Sequence, residues 1–301
     1  MSENRKPTLS KKEQAARKQK IIRLVIVYTL LTFVALFIVT PFYWMILTSL
    51  KTAQQIDRIP PILFLKPGDW QLRNFALALQ AAPYARFMMN TVIVAAISTF
   101  GTIITTVLAA FAFARINFKG RDFIFMILIS SMMIPGEMFV ITNFMTVNTL
   151  GWIRDQSFID ALAAMSFPFM TSIFYLFFLR QTFKQVPDEL YLAAKVDGTS
   201  DFKYLLKVMI PIAKPTIITI IILNAMGTWN AYIWPNLVSP QNENYRLVSN
   251  GLRNAYRDLS GQVAYNEQMS AALIVTIPLL IVFLLLKKQI MRGVSRSGIK
   301  G

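Results

Sequence analysis

Residues 187–215 read PDELYLAAKVDGTSDFKYLLKVMIPIAKP, a polar interlude between two long apolar runs. The stretch is too polar to lie inside a membrane and too regularly patterned for a spacer. Ala193 and Ala194 stand three and four residues after Leu190, so the three share one small, smooth helical face that another surface can approach closely. Asp197-Gly198 ends that helix, with Gly198 as its cap glycine. Ser200 or Thr199 caps a second helix with apolar positions at Phe202, Leu205, Leu206, Met209 and Ile210. Pro211 and Pro215 then restart the chain. The pattern predicts a helix-turn-helix lying on a bilayer surface, with an Ala-Gly knuckle turned outward.

The flanks of this connector decide the class. Hydrophobic residues make up 55% of the 301 and charged residues only 15%, which is too apolar for a soluble globular chain. The net charge of +16 reads as topology and not as nucleic-acid binding, because the basic residues sit beside apolar spans. With no cysteine and no histidine, disulfides, thiolate chemistry and histidine bases are excluded, and no metal site is expected. No G-x-x-x-x-G-K-[ST] loop occurs. If ATP drives this protein, the ATPase is another chain.

Six apolar runs are long enough to cross a bilayer of roughly 30 Å. They fall at 24–50, with a bend expected at Pro41, and at about 88–114, 123–147, 161–179, 216–238 and 269–286. The first is too long for a signal-peptide core. Residues 1–23 read as a disordered or frayed basic tail, and 51–87, punctuated by Pro60, Pro61, Pro67 and Gly68, as an extracytoplasmic loop with little regular structure. The second run is rich in Thr, Ala and Ser, which suits close helix contact more than lipid. The expected fold is an all-α polytopic membrane protein with six transmembrane helices and the connector between spans four and five. Its divisions are a basic tail (1–23), a first span with its loop (24–87), a core of spans two to six (88–286) and a second basic tail (287–301). Lys and Arg crowd 1–23, 115–121, 180–214 and 287–301, which predicts that both termini and the connector are cytoplasmic.

Polar residues inside the spans are candidates for a substrate pathway. Ile134-Pro135-Gly136-Glu137 should break the third span, and Glu137 is the one acid placed well inside any span. A neutral or capped carboxylate bonding the broken helix explains it equally well. The fifth run carries Asn224, Trp229, Asn230, Tyr232 and Trp234. Tyr232 and Trp234 fit an interfacial aromatic belt, whereas the two amides must face a helix interface or a watery cavity. Aromatic faces and amides together suit a sugar ring and its hydroxyls.

The run P-x-E-L-x-x-A-A-x-x-D-G, followed by I-P and then P, resembles the coupling loop of type I ABC importer permeases, most closely the carbohydrate branch related to the maltose permease subunits. The residues that match are Pro187, Glu189, Leu190, Ala193, Ala194, Asp197, Gly198, Ile210, Pro211 and Pro215. The basic turn FARINFKGR, the Trp229-Asn230 pair and the terminal KKQIMRGVSRSGIKG also resemble that family. One position departs: the family signature reads Glu-Ala-Ala, and Leu192 stands here for the glutamate. The resemblance implies a non-catalytic subunit of the bacterial plasma membrane. ATP and Mg are bound by a partner ATPase, so this chain needs no cofactor of its own. The implied partners are a second permease, two ATPase subunits, an extracytoplasmic solute-binding protein and membrane lipid. Glu189, Leu190, Ala193, Ala194, Asp197, Gly198 and Pro211 would couple to the ATPase, and alternating access would carry the sugar inward. The alternative is a secondary transporter or channel for a small polar solute. Such carriers need membrane carboxylates or a histidine relay, and only Glu137 is available. A membrane enzyme lacks a nucleophile and base pair.

Overall fold

The computed structural model describes residues 11–153, 157–239, 243–256 and 263–295, and helices supply its regular structure. Helix α1 runs Lys11–Ser49 without a break at Pro41, about 58 Å at ~1.5 Å per residue. Half of the tail expected to be frayed is therefore helical. Its Lys, Gln, Ala, Arg and Glu residues are good helix formers, and a helix needs no apolar periodicity where, as at residues 17–23, its side chains are exposed. Residues 1–10 lie outside the described chain.

The loop expected to be irregular also contains helix. Thr52 caps α2 (Ala53–Ile56), and α3 (Arg73–Ala81) buries Asn74 and Ala78. The Asn74 amide donates to the carbonyls of Ser49 and Lys51 at 2.8 Å each, which ties α3 to the end of α1. Long-range side-chain bonds of this kind leave no local sequence signal.

Helix α4, Tyr84–Arg115, is the hub of the fold. It packs on α8 (Ile173–Lys184), α11 (Ile210–Asn230), α7 (Phe158–Ser166) and α13 (Val248–Asn254). Its polar residues are buried, as the Thr-Ala-Ser composition predicts: Asn90, Thr91, Ser98, Thr99, Thr102 and Thr106 all face inward. Two threonines of this helix secure the break in the fourth span. The Thr102 and Thr105 hydroxyls donate to the carbonyls of Phe169 and Met170, at 3.0 and 2.6 Å, where Pro168 interrupts the fourth span. A carbonyl freed at such a break cannot be left to lipid, so a hydroxyl from the adjacent helix is needed. Gly101 allows the approach, since a Cβ there would meet the Met170 side chain at 2.5 Å.

The remaining spans follow the predicted order with revised edges. Helices α5 (Arg121–Ser131) and α6 (Phe139–Thr149) form the third span, bent by 84° at the Pro-Gly pair. The α7–α8 pair is bent by 53°. Among the described residues four helices are long and apolar enough to cross a membrane, and the number rises to six where each bent pair counts as one span. Helix α12 is Ile233–Val238, and α14, Tyr265–Ser295, packs on α1, α3 and α11. The polar stretch before α14, residues 239–267, contains α13, and the second tail continues α14 through Ser295; residues 296–301 lie outside the described chain.

Candidate functional site

The connector starts at Pro187, whose fixed φ of −57° leads into α9, Asp188–Val196. Asp188 and Glu189 in its first turn and Lys195 in its last complement the helix dipole. The helix ends in a Schellman turn. Asp197 is the cap and Gly198 adopts φ +70°, the left-handed region where a side chain is strained. The Gly198 N–H donates to the Lys195 carbonyl at 3.0 Å and the Thr199 N–H to the Ala194 carbonyl at 2.9 Å. Ser200, and not Thr199, caps the second helix of the connector: its hydroxyl accepts from the Lys203 N–H.

That second helix is not a separate piece. Helix α10 (Asp201–Tyr204) passes through a π turn at Leu205–Met209 directly into α11, a continuous helix of 30 residues. Pro211 and Pro215 do not restart the chain. Pro211 has no N–H to give, and the π turn just before it changes the hydrogen-bond register where that donor is missing. The fifth span thus begins earlier than expected and ends at Asn230. The apolar face also shifts. Tyr204, Leu205 and Met209 are buried, whereas Phe202 and Leu206 are exposed and Ile210 is half-buried.

Behind α9 lies a core of Phe111 and Ala114 from α4, Leu179 and Phe183 from α8, and Tyr204, Leu205 and Met209. Tyr191 and Ala194 pack against it, so Ala194 is not part of the outward knuckle. Glu189, Leu190, Ala193, Asp197 and Gly198 are all exposed, as is Pro211 on the following helix. Leu192 and Val196 join the exposed set, Val196 at 88% exposure. Asp201 fastens the two helices together: the Tyr191 hydroxyl donates to its carboxylate at 2.6 Å and the Lys195 ammonium pairs with it at 2.7 Å. That bond holds the Lys195 ammonium above its usual range, and burial, followed by the same carboxylate, raises the Tyr191 phenol.

Two buried arginines escaped the sequence reading, which took basic residues at span ends as topological charge. Arg115, the last residue of α4, donates to the carbonyls of Phe183, at 2.8 Å, and Val186, and pairs with Asp188. Arg180 on α8 donates to the Phe113 carbonyl at 3.1 Å, lies 3.5 Å from Asp122 and sits 3.8 Å above the Phe125 ring. The available signal was an acid, Asp188 or Asp122, beside each basic span end.

The substrate-pathway candidates do not converge on one pocket. The Asn224 amide donates to the Thr99 hydroxyl at 3.0 Å, so this half-buried side chain joins α11 to α4. Trp229 packs with Tyr84, Phe87 and Tyr256, and its indole N–H has no acceptor among the described residues. Asn230, the last residue of α11, is exposed and its amide donates to the Met226 carbonyl at 3.0 Å. Tyr232 is half-buried beneath the Arg253 guanidinium, 4.9 Å from the ring centre. Trp234 belongs to no aromatic belt: it is buried and donates to the Ala164 carbonyl at 3.0 Å. Glu137 is exposed in the 3₁₀ turn Gly136–Met138, which follows Pro135 and leads directly into α6.

Comparison with known proteins matches residues 101–296 to the family described as binding-protein-dependent transport system inner membrane component. The probable ABC transporter permease protein MG189 of Mycoplasma genitalium is 28% identical over 94% of this chain and 91% of its own length. The arabinooligosaccharides transport system permease protein AraQ of Bacillus subtilis is 26% identical, covering 93% of this chain and 96% of its own. The sn-glycerol-3-phosphate transport system permease protein UgpE of Brucella suis is 28% identical over 85% of this chain and 90% of its own. A solved bacterial ABC transporter involved in the import of the acidic polysaccharide alginate shares the fold, with a TM-score of 0.74 at 23% identity over 94% of this chain and 99% of that one.

Proposed function

The chain belongs to the family of inner membrane components of binding-protein-dependent transport systems and is an ABC importer permease, and on that premise we propose that its cargo is a sugar or oligosaccharide. The carbohydrate named in AraQ, together with the amide and aromatic side chains of α11 and its C-terminal edge, supports that cargo. The observation that carries the coupling mechanism is the exposed, small and apolar outer face of α9, ended by the Gly198 turn. A separate ATPase seats on that face, and its ATP-driven closure moves α9 and the spans behind it. The chain itself turns over no ATP. Both termini and the connector are cytoplasmic in a bacterial plasma membrane. A second, non-identical permease completes the pathway, two ATPase subunits drive it and a solute-binding protein delivers the cargo. Asn230, exposed at the end of α11, faces the pathway or the second permease.

The test is reconstitution of the chain with its partner permease, ATPase and binding protein in proteoliposomes. ATP-dependent uptake of an oligosaccharide, with no ATP turnover by the isolated chain, is the expected result. Uptake of glycerol 3-phosphate with no sugar in a panel accepted would overturn the cargo, and uptake without the ATPase would overturn the mechanism.

A further inference from the structure

The side chain that joins the connector to the rest of the molecule is Arg115. Its guanidinium is 2% exposed and holds three chain segments: its own α4, the end of α8 through the carbonyls of Phe183 and Val186, and the start of α9 through Asp188. A planar guanidinium fork holds several acceptors in fixed directions, which a lysine ammonium on a flexible stem does not. The carboxylate of Asp188 is 83% exposed, so the tie can be broken from outside without opening a hole in the core. At its other end α9 is joined by the Gly198 turn and the Asp201 bonds to a helix that passes through a π turn within five residues. A single side-chain tie to α4 and α8 at one end therefore contrasts with a locally altered helix at the other.

We propose that Arg115 is a positioning residue for coupling: it latches the first turn of α9 to the ends of α4 and α8, so that these segments move as one body during transport. The inference rests on the reading that an ATPase seats on α9. Displacement of α9 then pulls on α4 through the guanidinium, and the π turn at Leu205–Met209 takes up the change relative to α11. Without the latch, α9 follows the ATPase while α4 stays behind. ATP is then hydrolysed with little cargo moved.

The natural absence of cysteine makes the motion directly measurable. Leu108 on α4 and Val196 on α9 are both exposed, and cysteines at these two positions accept spin labels. In the full complex, the label distance should be the same in the nucleotide-free and vanadate-trapped states. Asp188→Ala should broaden or shift that distance between states and lower cargo moved per ATP by about fivefold or more, within the usual range of coupling between sites. Asp188→Glu should restore both, as a merely structural acid in the first turn would not require. A wild-type distance that changes between states, or an unchanged cargo-to-ATP ratio in Asp188→Ala, overturns the latch. If the wild-type chain retains no ATPase at all, the proposed function fails first and the latch falls with it.

Discussion

The stretches on either side of Gly198, residues 188–196 and 201–209, each hold six apolar residues and have opposite fates. Helix α9 keeps only Tyr191 and Ala194 against the core and leaves Leu190, Leu192, Ala193 and Val196 outside. The helix that begins at Asp201 sends Tyr204, Leu205, Met209, Ala213, Ile217 and Ile220 inward and becomes a span. One is surface and the other is scaffold. The difference teaches that an apolar residue count cannot separate a surface helix from the start of a span; burial can.

The strongest way to break this comparison is a pair of adjacent leucines. Leu205→Ala empties a buried site and should cost about 2–5 kcal/mol, read as a lowered unfolding midpoint in detergent. Leu206→Ala, on the exposed side, should stay within about 0.5 kcal/mol of wild type. Equal losses would mean that the inward and outward faces are misassigned.

Next in size is the turn itself. Gly198→Val places a β-branched residue at φ +70°, at a cost of about 1–2 kcal/mol or more, and should tilt α9 away from α10. Loss of ATPase copurification with the spans still folded is the expected signature. Asn224 and Asn230 give a smaller contrast. Asn224→Leu removes the bond to Thr99 and should destabilise by about 0.6–1.7 kcal/mol, whereas Asn230→Leu should leave stability alone and reduce uptake.

The least effect is expected from pH. Lys195 has its pKa raised by its bond to Asp201, so its contribution is complete below the ordinary lysine value of 10.5 and is lost as pH rises through the raised one. A spin label at Val196 should therefore show unchanged mobility from about pH 6 to pH 9 and greater mobility only above pH 10.5. Increased mobility already at neutral pH would show that this bond does not hold the turn.

Much of this was legible in the chain. The Gly198 turn was readable because a left-handed cap demands a glycine, and the following N-cap was narrowed to Ser200 or Thr199 because either supplies the hydroxyl it needs. The spans were readable because their apolar runs are long, and the close packing of the second because its composition is rich in Thr, Ala and Ser. The unread features have non-local causes. Pro211 looked like a stop because a π turn that accommodates proline has no sequence signature. Arg115 looked like topology because its three acceptors come from distant segments. Ala193 and Ala194 looked equivalent because their difference is set by a core, built from α4, α8 and the following helix, that lies behind only one of them.

That last distinction supplies the most direct measurement. Ala193 is exposed while Ala194 is half-buried, so Ala193→Trp enlarges only the outer face of α9. Overpacking a docked surface costs about 1–3 kcal/mol, and each ~1.4 kcal/mol is tenfold in affinity. ATPase retained on the purified permease should fall by about tenfold, with an unfolding midpoint equal to wild type. Wild-type retention together with wild-type uptake in Ala193→Trp would show that α9 is only a connector and that the ATPase seats elsewhere.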